Sequence, residues 1–143
     1  MIRTERIVLE TGGRCDVLDL TPEVRRAVVE SGIGEGQVTV FVVGSTAAVT
    51  TIEFEPGLRR DLPELLDRLV PPGRYHHDAT WGDGNGHSHL RAALLGPSLS
   101  VPVLDGEPAL GTWQQVVLVD LDVRPRRREV VIQVTGEGAA APD

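Results

Sequence analysis

The sequence predicts an α+β domain: a mainly antiparallel, sandwich-like β-sheet carrying two or three short helices. Three observations carry this reading. The chain has 143 residues, 41% of them hydrophobic, yet only two Trp, two Phe and one Tyr. Its core must therefore be built from Val, Leu, Ile and Ala, and the β-branched members of that set fit a pleated, half-buried surface. Short alternating or densely β-branched runs also recur, with turn residues between them. The few helical stretches, finally, do not alternate regularly with strands, which argues against parallel strand–helix–strand units.

Taken in order, residues 2–20 alternate loosely around Thr11-Gly12-Gly13 and read as a hairpin. Thr21-Pro22-Glu23 then supplies a capping hydroxyl, an early proline and an acid in the first turn, and Ser31-Gly32 supplies a stop. Val24, Ala27 and Val28 give that helix one apolar stripe. Residues 37–43 and 48–54 read as neighbouring strands around Gly44-Ser45-Thr46. A second helix is predicted from Asp61-Leu62-Pro63-Glu64, with Leu65, Leu66 and Leu69 at helical spacing and Pro71-Pro72-Gly73 as its end. Residues 74–86 show no periodicity and read as a loop, and 90–95 as a short helical run. Strands follow at 99–103, 113–121 and 130–134, with turns at Asp105-Gly106 and around Arg124-Pro125, and a frayed tail is expected from Gly136. Trp113 reads as a core or interface residue. With no internal repeat and no linker, residues 1–143 read as one domain.

Composition narrows the functional classes. One cysteine, Cys15, excludes an internal disulfide and any multi-cysteine metal site, which points to a reducing cytoplasm. A net charge of −7 opposes a broad nucleic-acid footprint, which depends on Lys and Arg neutralising phosphates. No apolar run approaches the roughly 20 residues of a membrane span. The expected partners are thus small molecules, with neither nucleic acid nor membrane among them.

The chemistry concentrates in one segment. All four histidines lie between His76 and His89, alongside Asp78, Asp83 and Asn85. Imidazole is the commonest ligand for zinc-like ions, and a catalytic site typically takes three protein ligands and leaves one position open. His77, His87 and His89 can supply three, provided the backbone at 87–89 is extended, because two residues along a helix separates side chains by roughly 200°. Gly86, His87 and Ser88, just ahead of the helical run, offer backbone N–H groups to a phosphate or another anion, with Arg74 and Arg91 close in sequence. Glu53, Glu55 and Ser45 are further candidates. The arginine run 124–128 reads as a solvated turn, and Asp120 and Asp122 as surface acids sharing a strand face.

Five ordered blocks add a resemblance. They are residues 41–47 (FVVGSTA), 75–77 (YHH) with 83–89 (DGNGHSH), 94–98 (LLGPS), 101–103 (VPV) and 110–114 (LGTWQ). In order and spacing the chain resembles the YjbQ-like family. The resemblance implies an α+β fold, a homotrimer, and a small-molecule site whose histidines hold a divalent metal, zinc or magnesium. It also implies a thiamine-phosphate synthase-like transfer that couples a pyrimidine diphosphate to a thiazole phosphate. His77, His89 and Arg91 would then act in catalysis, with Asn85, Gly86 and Ser88 receiving a phosphate. Many members carry a His where this chain has Gly44, and the expectation is that His87 replaces that imidazole beside His77 and His89.

Overall fold

A computed structural model describes residues 1–139. Among the described residues the elements are β1 (Ile2–Thr11), β2 (Asp16–Asp19), α1 (Thr21–Ser31), β3 (Ile33–Val43), β4 (Ala47–Ile52) and α2 (Pro56–Leu69). They continue with α3 (His76–Trp81), α4 (Gly86–Leu95), β5 (Ser98–Leu104), β6 (Glu107–Pro108), β7 (Gln115–Asp120) and β8 (Arg126–Gly138). The strands form two antiparallel sheets, one in the order β1-β8-β3-β5-β6 and the other β2-β7-β4. The α+β architecture with antiparallel sheets is thus the one expected, with four helices instead of two or three.

Side-chain alternation sorts these elements into layers. Val38, Val40 and Val42 of β3, with Val130, Ile132 and Val134 of β8, face inward and meet Val49, Val116 and Leu118 of the smaller sheet and Val24 and Val28 of α1. The opposite face of the smaller sheet, with Ala48, Val117, Val119 and the following Leu121, is covered by Leu66 of α2 and Ala92 of α4. Central strand β7 therefore buries side chains on both faces, which is why its sequence is a continuous apolar run with no alternation.

Several local expectations give way to this layering. The strands flanking Gly12-Gly13 do not pair as a hairpin: β1 lies against β8 and β2 against β7. Gly13, Arg14 and Cys15 all have positive φ (68°, 54° and 64°), and this turn carries the chain from one sheet to the other. Gly44, at φ 152°, marks the same kind of crossing between β3 and β4, which are in different sheets instead of adjacent. α1 is held at its start by Asp19, whose Oδ1 accepts from the Thr21 N–H at 2.9 Å, while the Thr21 hydroxyl accepts from Val116 N in the core. α2 begins at Pro56, not Asp61, because Glu55 caps it by accepting from Gly57 N at 2.6 Å and Leu58 N at 2.9 Å. Glu55 is thereby committed to structure, and those bonds hold its carboxyl below the usual range.

The stretch read as a loop contains α3, and α4 begins at Gly86, earlier than residue 90. Neither start has a hydrophobic signature: α3 buries no residue, and the first turn of α4 buries Gly86, His87 and Ser88. Trp113 stands exposed ahead of β7. The tail expected from Gly136 starts later, since Gly136, Glu137 and Gly138 extend β8 in register with β3, and residues 140–143 lie outside the described residues. No helix among the described residues is long and apolar enough to cross a membrane.

Candidate functional site

Asp78 organises the segment that holds the histidines. Its Oδ2 accepts from Tyr75 N at 3.2 Å and so starts α3, while its Oδ1 accepts from Gly86 N at 2.9 Å and so starts α4. The two helices meet closely there, and a Cβ on Gly86 would fall 2.8 Å from Tyr75 Cβ. Burial alone would raise the Asp78 carboxyl, but the Gly86 and Tyr75 N–H groups and the neighbouring His77 hold it below its ordinary value. The amide expected to receive a phosphate at Gly86 is thus already taken by a carboxylate of the chain itself, and the Ser88 N–H bonds Asn85 O at 3.0 Å.

His77 lies against this clamp. Its Nδ1 is 3.4 Å from Asp78 Oδ1 and 3.7 Å from Asp83 Oδ1. One ligand atom from each of His77, Asp78 and Asp83 can be chosen so that all three lie within 4.8 Å of one another. Ligands about 2.1 Å from a shared tetrahedral ion stand roughly 3.4 Å apart, so a nitrogen and two carboxylate oxygens here match a divalent cation's donor set. The His89 ring packs on His77, with centroids 4.5 Å apart. A cavity of about 280 Å³ adjoins His89, lined also by Gly44, Ser45, Ala47 and Ala92.

His87 does not join this group. Because 87–89 is helical, His87 and His89 leave α4 in different directions. The His87 ring stacks toward Tyr75, with centroids 6.5 Å apart, and lines a different cavity. Three gathered imidazoles are therefore not formed: His89 stays against His77, His87 does not, and the donors grouped with His77 are the Asp78 and Asp83 carboxylates. Burial, then the nearby Arg91 charge, pushes the His87 imidazole below its ordinary value of 6.5. Arg91 is buried and structural in its contacts, donating from Nε to Val70 O and from Nη2 to Asp67 Oδ1, both at 2.9 Å. Ser88 is fully buried and its hydroxyl has no hydrogen-bond partner among the described residues. Asn85 is buried between two carboxylates. One end of its amide is 3.4 Å from Asp122 Oδ1, the other 3.1 and 3.2 Å from the Asp83 oxygens, so its NH₂ donates to one or the other.

Beneath this segment lies a network that the linear reading placed at the surface. Asp120 and Asp122 are fully buried. Arg128 donates from Nε and Nη2 to the two Asp120 oxygens at 2.8 and 2.9 Å, and from Nη2 to the Thr46 hydroxyl at 2.7 Å. Thr46 donates to Asp122 at 3.0 Å, Arg126 Nε donates to the same oxygen at 2.9 Å, and the Thr11 hydroxyl donates to Asp120. Burial opposes ionisation of Asp122, but the Val123 N–H, Thr46, Arg126 and Asn85 outweigh it and lower its carboxyl. The only sequence signal was alternation, Asp-x-Asp then Arg-x-Arg, which puts each pair on one strand face without saying that the faces meet.

The family model described as UPF0047 protein YjbQ-like matches residues 5–137. The chain belongs to the YjbQ-like family. A UPF0047 protein of Archaeoglobus fulgidus is 39% identical over 128 residues, spanning 89% of this chain and 97% of that one. A UPF0047 protein of Mycobacterium tuberculosis H37Rv is 44% identical over 115 residues, 80% of this chain and 84% of that one. Among solved structures, a YbjQ-like protein of unknown function from Sulfolobus solfataricus P2 superposes with a TM-score of 0.90 at 33% identity, covering 96% of this chain and 99% of the other. A hypothetical protein from Aeropyrum pernix K1 gives 0.87 at 35% identity, covering 94% and 99%. This YjbQ-like chain shares the fold of these proteins across almost its whole described length.

Proposed function

We propose that this YjbQ-like chain is a metal-assisted enzyme acting on a small phosphorylated molecule, with a thiamine-phosphate synthase-like transfer as the reaction to test first. The carrying observation is the convergence of His77 with the Asp78 and Asp83 carboxylates where α3 meets α4. A divalent cation held there would supply positive charge to phosphate oxygens, including those of a departing pyrophosphate. The chain's own contribution is positional. Asp78 is kept ionised by two backbone N–H groups, His89 borders both the cluster and the adjoining cavity, and the small residues Gly44, Ser45 and Ala47 leave that cavity open.

The test is metal content and turnover together. Parent protein purified without a tag should retain, or take up on reconstitution, close to one zinc or magnesium equivalent per chain, and a His77→Ala, Asp83→Asn variant should lose it while staying folded. Pyrophosphate release from a pyrimidine diphosphate in the presence of a thiazole phosphate should fall with the metal. Equal metal content in parent and variant would sink the site, and metal binding without turnover on any phosphorylated substrate would leave a binding module.

An alternative reading, a metal- or anion-binding homotrimer without catalysis, draws on the outer face of the five-stranded sheet. Val8, Phe41 and Val43 are exposed there, with Val43 and Val8 both in register with Glu129 and Phe41 with Val131. An apolar strip of this kind fits burial against further copies of the chain.

A further inference from the structure

On the side of α4 that His87 faces, a second cavity of about 440 Å³ opens between α2, α4 and the turn after β1. Its size is that of a small-ligand pocket. Several features mark it as more than a gap. Pro63, Pro72 and Leu121 give it apolar walls. Arg14 and Cys15 on its rim both have positive φ, 54° and 64°, a region that side chains other than glycine seldom adopt. That turn is held by Arg14 N donating to the main-chain carbonyl of Asp122 at 2.6 Å and Cys15 N to that of Asp120 at 2.7 Å, so the backbone at the end of β7 anchors the pocket wall. Strained backbone maintained by its surroundings concentrates at ligand sites.

Charge and polarity supply the rest. Arg91 is matched by Asp67, and Asp122 by Arg126, but the Arg14 guanidinium has no carboxylate partner among the described residues. His87, more than nine-tenths buried, lines the same cavity, and its Nδ1 is sealed from solvent with no partner among the described residues. An orphaned N–H is tolerated less well in the interior than an unused lone pair, which puts the imidazole proton on Nε2 as a donor.

We infer that this cavity is a binding site for a small organic anion, a carboxylate or a phosphate ester with an apolar body, its head group received by Arg14 and by the His87 N–H. The site is separate from the cluster at His77 and does not depend on a metal there.

The experiment titrates the parent protein with benzoate and, separately, with phenyl phosphate, following heat by calorimetry and the His87 ring nitrogens by NMR. Saturation at one equivalent per chain with a shift at His87 is expected for at least one probe, and the probe that binds identifies the head group. Arg14→Gln should weaken that probe tenfold or more, Arg14→Lys less, and His77→Ala not at all. Arg14 is exposed, so its variants should fold. The inference is overturned if neither probe saturates, if Arg14→Gln binds like the parent, or if the His87 nitrogens stay still at saturation.

Discussion

Arg128 grips both oxygens of Asp120 in the interior, Nε on Oδ2 at 2.8 Å and Nη2 on Oδ1 at 2.9 Å, with both side chains buried. Asp120 ends the central strand of the smaller sheet and Arg128 lies near the start of β8 in the larger one, so the pair bolts the two layers together. Removing one partner strands the other charge. Asp120→Ala should cost about 3–5 kcal/mol of unfolding free energy, read by denaturant titration. Replacing both residues with apolar ones of similar volume should cost clearly less. Equal losses in the single and double variants would show that the site's shape, not the ion pair, carries the stability.

Gly36 and Gly136 are register partners on β3 and β8. A Cβ on Gly36 would fall 1.9 Å from Thr135 O, and one on Gly136 2.1 Å from Glu35 O, both backbone atoms that cannot swing aside. Gly36→Ala should therefore destabilise the chain by about 1–3 kcal/mol through forced strand separation, and hydrogen exchange should quicken along the β3–β8 ladder. Unchanged protection would show that the strands already stand farther apart.

Stability should fall with acid in two windows. The folded-state imidazole of His87 is lowered below 6.5, so on acidification the unfolded chain takes up a proton first and stability starts to decline below about pH 6.5. The Asp122 and Asp78 carboxyls are lowered below 3.8, so their contribution is intact above that value and is lost as pH falls through their folded values. Unfolding free energies from pH 8 to 3 should show both declines, and His87→Phe should flatten the upper one. A parent curve that is level from pH 7 to 5 would contradict the His87 assignment.

One end of the Asn85 amide lies 3.1 and 3.2 Å from the oxygens of Asp83, a carboxylate of the proposed metal cluster. Partners in that position orient ligands, so Asn85→Ala should weaken metal affinity by about 10- to 100-fold without removing a ligand. Competition with a chelator of known affinity measures it, and an unaltered affinity would place Asn85 in the Asp122 network alone.

Burial raises the Cys15 thiol to about 11. Since the thiolate is the reactive form, iodoacetamide at pH 8 should label Cys15 on the order of a hundredfold more slowly than an exposed cysteine thiol. The rate should climb toward pH 11 and become ordinary in denaturant. Fast labelling of the native chain at pH 8 would mean that the wall around Arg14 opens.

Much was legible in linear order. The dense β-branched run at 37–43 located a strand, the Thr21-Pro22 start located α1, and the clustering of His76, His77, His87 and His89 marked the segment where the candidate cluster lies. The helices at 76–81 and 86–89 had no such signal: α3 buries no residue and the start of α4 buries only small or polar ones, so neither has an apolar period, and the helical turn at 87–89 that separates His87 from His89 is set by Asp78 reaching eight residues forward to Gly86.

The sequence by itself determined the building material and where the chemistry would concentrate: Val-rich strands, short helices and one histidine-rich segment, all properties of neighbouring residues. Only the tertiary structure decided that β1 and β2 part into different sheets, that Asp120 and Asp122 are buried with Arg128 and Arg126, and that His77 keeps company with Asp83 instead of His87. Those outcomes depend on which strand faces come together and on what a carboxylate meets once water is excluded. A short sequence window encodes a side chain's direction along its own strand or helix, but not the partner that the packed layers bring opposite it.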